Sequence, residues 1–141
     1  GPEPLADEFT LEAFKALFRG RRGRLKPLLL NQSFIAGIGN IYADESCFAA
    51  QIHPRRPANT LSDDALARLY RAIRRVLTHG ITLKGASFDA VYRGGEYQNH
   101  FQVYGRTGQP CPRCGAPIAR VVLGGRGTHF CPVCQPEPNA A

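Results

Sequence analysis

Four of the five cysteines stand in two Cys-x-x-Cys knuckles, Cys111-Pro-Arg-Cys114 and Cys131-Pro-Val-Cys134, with sixteen residues between them. Each knuckle offers two thiolates from one tight turn. Sixteen residues are enough to fold back as a hairpin and set the two pairs opposite each other, as a tetrahedral zinc ion requires. Pro112 and Pro132 pre-set the two turns, and Gly115 follows the first where a positive φ is often needed. A redox dithiol would use one knuckle, and paired disulfides would imply a secreted protein, for which nothing else argues. The expectation is one structural zinc on Cys111, Cys114, Cys131 and Cys134. Four thiolates leave no open position for water, so the ion contributes to folding, on the order of 10 kcal/mol, and not to hydrolysis.

Two further groups have the types that bind anions. Gly37-Ile38-Gly39-Asn40 opens a helix, where glycines admit close approach of an anion and the helix end aims N–H groups at it. Asn40 can cap that helix or donate its amide to a phosphate oxygen. A plainer reading makes the glycines a mere turn between packed helices. Lys26 favours the anion site, because it precedes the helix that this turn ends and brings a compact positive charge. Arg126, beside Gly124-Gly125 and before Gly127, could grip a phosphate with its planar fork, or be an ordinary surface arginine at a turn.

No catalytic set is visible. His53, His79, His100 and His129 have no serine or cysteine partner suggested by the local sequence, and structural or exposed places are expected for them. Asp44 and Glu45 are adjacent on a helix and point to different faces, so surface and capping roles are expected.

Holding these groups requires elements. Gly1 to Ala6 is proline-rich and extended, a linker in character. Asp7 or Thr10 can cap a helix whose apolar residues Phe9, Ala13, Phe14, Leu17 and Phe18 keep a 3.6-residue period, ended by Gly20 and Gly23. Arg19 to Lys26 is a loop with five cations and no acid. Pro27 suits a first helical turn and predicts a short buried helix from Leu28 to Gln32. A third helix is expected from Asn40 to Ala50, with Cys47 buried in it. After a turn at Asn59 to Leu61, Ser62 caps a helix whose Leu66, Leu69, Ile73, Val76 and Leu77 face a core. Arg68, Arg71, Arg74 and Arg75 take its solvated face, and Gly80 ends it. Residues 81–104 read as loop, with one short strand near Phe101 to Tyr104. Ile118 to Leu123 and Arg126 to Phe130 are strands about Gly124-Gly125, and 136–141 a frayed tail. The expected fold is mainly α with a small β-hairpin zinc ribbon. Its parts are a linker (1–6), a helical domain (7–80), a loop region (81–104), a zinc finger (105–135) and a tail (136–141).

At 141 residues with 43% hydrophobic content, the chain can pack one core plus a metal-stapled appendage. No apolar run approaches the ~20 residues of a membrane span, and Gly1-Pro-Glu-Pro4 has neither the basic start nor the apolar stretch of a signal peptide. Reduced, metal-holding thiols suggest a cytoplasmic location, and a monomer is expected. Net charge is +7, and residues 1–14 hold four acids and no base, which leaves residues 15–141 at +11. Such a balance favours a polyanionic partner.

Taken together, Leu25-Lys26-Pro27, Ala36-Gly-Ile-Gly-Asn-Ile-Tyr-Ala-Asp-Glu45, Ile52-His-Pro54, Val103-Tyr-Gly-Arg-Thr-Gly-Gln-Pro-Cys111 and Arg126-Gly-Thr-His-Phe-Cys-Pro-Val-Cys-Gln135 resemble the carboxy-terminal half of the formamidopyrimidine-DNA glycosylase and endonuclease VIII family. The details favour the formamidopyrimidine branch. The resemblance implies a helix–two-turn–helix domain followed by a four-cysteine zinc finger, which together clasp double-stranded DNA around a flipped damaged base or abasic site. It implies DNA contacts by Lys26, Gly39, Asn40, Tyr42 and Arg126, and a nucleoid-associated location when bound. Segment 85–100 matches the region that forms a loop over the extruded base, in a shorter form. Pro2-Glu3 imitates the family's catalytic amino end, but Gly1 acylates the Pro2 nitrogen, and Gly1 to Leu5 resembles the interdomain linker instead. With the amino-terminal nucleophile domain absent, no catalytic residue is expected here and the chain alone is expected to be inactive. Its parent would be a bifunctional glycosylase and lyase for oxidised purines. Alternatives are an endonuclease VIII-type enzyme for oxidised pyrimidines, a stand-alone zinc-ribbon nucleic-acid module, and a zinc-dependent protein-interaction domain.

Overall fold

A computed structural model describes residues 1–85 and 101–138. The chain order is α1 (Leu11–Leu17), α2 (Leu25–Leu30), α3 (Asn40–Ala50), a 3-10 turn (Ala58–Thr60), α4 (Asp63–Gly85), β1 (Ala119–Leu123) and β2 (Arg126–Phe130). The fold is the expected one, mostly helical with one antiparallel hairpin.

Local chemistry sets several element ends. Thr10 caps α1, its Oγ1 accepting from Ala13 N at 3.2 Å, and Ser62 caps α4 by accepting from Ala65 N at 3.1 Å. Such caps contribute about 1 kcal/mol each. The hairpin pairs Ala119 with Phe130 and Leu123 with Arg126, around Gly124 and Gly125, whose φ values are 60° and 77°. Both values lie in the left-handed region that a tight hairpin turn demands.

Several expectations are corrected. Helix α2 spans Leu25–Leu30 instead of Leu28 to Gln32, so Lys26 lies inside it. Arg24 is extended and bridges to Pro57, and Leu25 N and Lys26 N donate to Arg56 O and Pro54 O, which anchors the helix start earlier. Gly80 does not end α4, which runs on to Gly85. A Cβ at Gly80 would overlap the phenol of Tyr42, so this glycine marks a close approach of α3 to α4. Residues 101–104 form bends and turns, not a strand, and segment 86–100 lies outside the described residues. The amino end packs on the helical domain: Pro4 is buried, Pro2 O accepts from Ala36 N at 2.9 Å, and Arg74 donates to Pro4 O at 2.6 Å. Glu137 is tied to Arg55 at 3.0 Å, so the tail is ordered at least that far.

Helix α3 is the centre of the molecule. It packs on α4, α2 and β2, and every residue from Ala43 to Phe48 is buried. Phe14, Leu25, Ile35 and Leu69 belong to the helical core around it, while Phe48 reaches the other way into a cluster with Val103, Ile118 and Cys131. One helix therefore serves both cores. Arginines close its carboxyl end: Arg113 donates to Phe48 O at 2.9 Å and Ala49 O at 3.2 Å, and Arg68 to Ala50 O at 3.2 Å. These cations meet the negative end of the helix dipole. Among the described residues, no helix is long and apolar enough to cross a membrane.

Candidate nucleic-acid interface

The four knuckle sulfurs lie within 4.8 Å of one another, with Cys114–Cys131 at 3.5 Å and Cys111–Cys134 at 3.9 Å. A tetrahedral zinc with Zn–S bonds of about 2.3 Å sets sulfurs about 3.8 Å apart, so the donor set fits that ion. Gly115 has φ 82°, as the first turn requires. Burial, then the neighbouring sulfurs, push the Cys134 thiol up to about 12. Cys111 is opposed by burial too, yet N–H groups of Cys114 and Arg113 bring it to about 7. A coordinating thiol is deprotonated outright, so a zinc ion here would hold all four as thiolates.

The finger is bolted to the helical domain at two further points. Gln135, fully buried, accepts from Cys131 N at 2.8 Å and donates to Ile52 O at 3.0 Å. Arg113, inside the first knuckle, lies 4.7 Å from the centre of the Phe48 ring while it closes α3. The metal site and the two-turn element thus form one body.

The hairpin lies along the amino-terminal half of α3. Asn40 Nδ2 donates to Gly127 O at 3.1 Å, and Lys26 Nζ donates to the same carbonyl at 2.9 Å and to Thr128 Oγ1 at 2.9 Å. Asp44 Oδ1 is 2.7 Å from Lys26 Nζ, a close ion pair. Asp44 Oδ2 accepts from His129 N at 3.0 Å and faces His129 Nδ1 at 3.0 Å. Lys26 and Asp44 are both at 0% exposure. Burial draws the Lys26 ammonium below the usual lysine range, against the pull of Asp44. Lys26 therefore does not stand at the surface as a point charge for an anion. Its donors hold the hairpin.

The remaining site residues lie around this joint. Gly39 is the α3 N-cap, extended at φ −91° and ψ 179°, and it offers no side-chain cap. The first N–H groups of a helix lack intrahelical partners, and a Cβ at Gly37 or Gly39 would meet nothing within 4 Å. That approach is open. Gln32 braces it from behind, accepting from Gly37 N at 2.8 Å and donating to Ile38 O at 3.3 Å. Asn40 is the first residue of α3 and not its cap; its amide bridges to the hairpin instead. Arg126 is exposed at the start of β2. Tyr42 packs against Gly80 and lines a cavity of about 340 Å³ with Glu45, Arg75 and His79.

Sequence reasoning placed Asp44 and Glu45 at the surface, and both are buried. They do point to different faces, but both faces of α3 are covered. Glu45 accepts from Gln102 N at 2.7 Å, Val103 N at 2.9 Å and Tyr104 N at 3.0 Å. Burial raises its carboxyl above the usual range, opposed by those three N–H groups. Of the histidines, His53 and His129 are structural as expected and His79 is exposed, while His100 lies outside the described residues. Arg120 was missed; its guanidinium lies over Gly127, where a Cβ would collide with it.

This arrangement has known counterparts. The signature described as "Formamidopyrimidine-DNA glycosylase H2TH domain" matches residues 1–91, and "Zinc finger found in FPG and IleRS" matches residues 108–136. Over 139 residues the chain is 50% identical to a formamidopyrimidine-DNA glycosylase of Herpetosiphon aurantiacus, covering 96% of this chain and 51% of that protein. The corresponding protein of Deinococcus radiodurans is 51% identical over 144 residues, with 96% and 50% covered. Among solved structures, MutM (Fpg) of Thermus thermophilus superposes with a TM-score of 0.84 at 47% identity, over 99% of this chain and 55% of that one. Lactococcus lactis Fpg bound non-covalently to DNA containing an AP site gives 0.85 at 42% identity, over 97% and 50%. The chain spans about half the length of the curated relatives it matches. In sequence signature and in the docking of finger on two-turn helix alike, it belongs to the formamidopyrimidine-DNA glycosylase family.

Proposed function

We propose that this chain is the damaged-DNA-binding half of a base-excision glycosylase and lyase for oxidised purines, with the nucleophile supplied by the other half of the family enzyme. One observation carries this reading: Lys26, Asn40 and Asp44 seat the hairpin that bears Arg126 on the helix whose uncapped N–H groups lie behind Gly39. Gly39, Asn40 and Arg126 grip consecutive phosphates of a bent strand beside the damaged nucleotide. Tyr42 lies next to that strand. Lys26 acts from beneath, by holding the finger. Zinc, on Cys111, Cys114, Cys131 and Cys134, fixes the hairpin and takes no part in bond breaking. The ligand is duplex DNA with a damaged base or an abasic site, bound by a cytoplasmic monomer.

Pro2 is held in an amide with Gly1, and its carbonyl bonds to the two-turn segment, so its nitrogen has no free lone pair for attack on a sugar. Two measurements test the proposal. Affinity for an abasic-site duplex should fall with salt, with a log–log slope of about −0.9 per phosphate neutralised. Arg126→Ala should weaken it by ~1–3 kcal/mol. Binding indifferent to salt would favour a protein-interaction domain. Rapid, stoichiometric borohydride trapping on abasic DNA would contradict the assignment of chemistry to the other half.

A further inference from the structure

The contacts between α3 and β2 form a matched pair. Asn40 and Asp44 are four residues apart on α3, one helical turn, and so lie on one face. Gly127 O and His129 N, which they hold, are two residues apart on β2 and point to the same edge of the strand. Four helical residues rise about 6 Å and two strand residues about 6.8 Å, so the two bonds lie nearly rung on rung. Both elements also run in the same direction, because Asn40 meets Gly127 and Asp44 meets His129. Arg126 is one residue before Gly127, whose carbonyl is held by Asn40 at the first position of α3.

We infer that Asp44 is a positioning residue for DNA binding: it locks β2 in register with α3 and so sets where Arg126 stands relative to Gly39 and Asn40. The inference rests on the phosphate-gripping role proposed above. Three elements meet on this one carboxylate, Lys26 from α2, His129 from β2, and α3 itself. Asn40 and Lys26 hold the hairpin at Gly127 and Thr128, and Asp44 adds the link one turn further along α3 at His129. A shift of the hairpin along α3 by one strand residue, about 3.4 Å, would carry Arg126 away from the α3 end. The buried ion pair and the paired His129 contacts are directional and resist that shift. Asp44 touches no phosphate in this scheme and acts only through Arg126.

A double-mutant cycle on the zinc-loaded chain reads this directly, using an abasic-site duplex and the variants Asp44→Asn, Arg126→Ala and the two combined. Arg126→Ala should weaken binding about 10- to 100-fold, the range of a charge-assisted contact. Asp44→Asn should weaken it comparably and reduce the salt slope by about 0.9, one phosphate's share. Combined with Arg126→Ala, Asp44→Asn should change affinity less than about twofold further. If the two losses multiply, or Asp44→Asn leaves affinity and slope unchanged, the inference is overturned. Zinc content and helical ellipticity confirm the fold. Should Asp44→Asn fail to fold, His129→Leu replaces it in the same cycle, with the same outcomes deciding. A wild-type chain that does not bind would overturn the phosphate-gripping role itself. Multiplying losses in a chain that binds, and is weakened by Arg126→Ala, would overturn only the role of Asp44.

Discussion

Replacing Lys26 by methionine isolates the charge at the buried joint, because the two side chains have similar length and an apolar body. Three contacts are removed: the 2.7 Å ion pair to Asp44 and the 2.9 Å bonds to Gly127 O and Thr128 Oγ1. Gly127 O keeps Asn40 as a donor, and Asp44 keeps His129. The Asp44 carboxylate, at 0% exposure, is left without its counter-charge. Removing one partner of a buried pair costs about 3–5 kcal/mol. That is a large part of the ~5–15 kcal/mol that holds an ordinary domain together. With a urea dependence of about 2 kcal/mol per molar, the unfolding midpoint should drop by about 1.5–2.5 M. Lys26→Met/Asp44→Asn, with no unpaired buried charge, should recover most of the loss. The assay is equilibrium unfolding of zinc-loaded protein followed by ellipticity. A single variant that loses less than about 1 kcal/mol, or a double variant as unstable as the single, would refute the reasoning.

Gly80→Ala should destabilise despite a helix-propensity gain of about 1 kcal/mol, because its Cβ overlaps the Tyr42 phenol; in a Tyr42→Ala background the sign should reverse, read by thermal unfolding. Gln135→Ala strands Cys131 N and Ile52 O and should cost about 1–3 kcal/mol with zinc stoichiometry unchanged, checked by denaturation and metal analysis. Burial holds the His53 imidazole below its ordinary range, so the folded state binds its proton less readily than the unfolded chain. Its share of stability is present above about pH 6.5 and is lost as pH falls from there through the folded value. Unfolding curves of wild type and His53→Gln should therefore converge on acidification, and parallel curves would exclude the effect.

What the sequence disclosed is what neighbouring residues decide. The zinc set was legible because each Cys-x-x-Cys turn is complete within four residues, and the finger and hairpin followed from the Gly124-Gly125 turn between the two knuckles. Thr10 and Ser62 announced their helices because a cap bonds three residues ahead. Asn40 to Ala50 was legible as a helix, but not its burial. A periodicity argument assigns one face to water, whereas α3 is covered by α2, α4 and β2 together. Hence Asp44 and Glu45 were expected outside. The place of Lys26 depends on a hairpin about a hundred residues later, which no local pattern announces. Gly80 looked like a helix stop because its reason for being glycine is a tyrosine on another helix. A short strand was expected near Phe101 to Tyr104, but the N–H groups of Gln102, Val103 and Tyr104 bond to the Glu45 carboxylate in place of a neighbouring strand, which no local pattern announces.

The claim that finger and two-turn helix act as one clamp is tested most directly by removing the metal. Affinity for an abasic-site duplex should be measured on the zinc-loaded chain, after chelation with zinc loss verified, and again after zinc is restored. The account predicts a loss of at least about a hundredfold on chelation, with recovery on reloading, since Arg126 loses its fixed place at the α3 terminus. An unchanged dissociation constant in verified metal-free protein would contradict it.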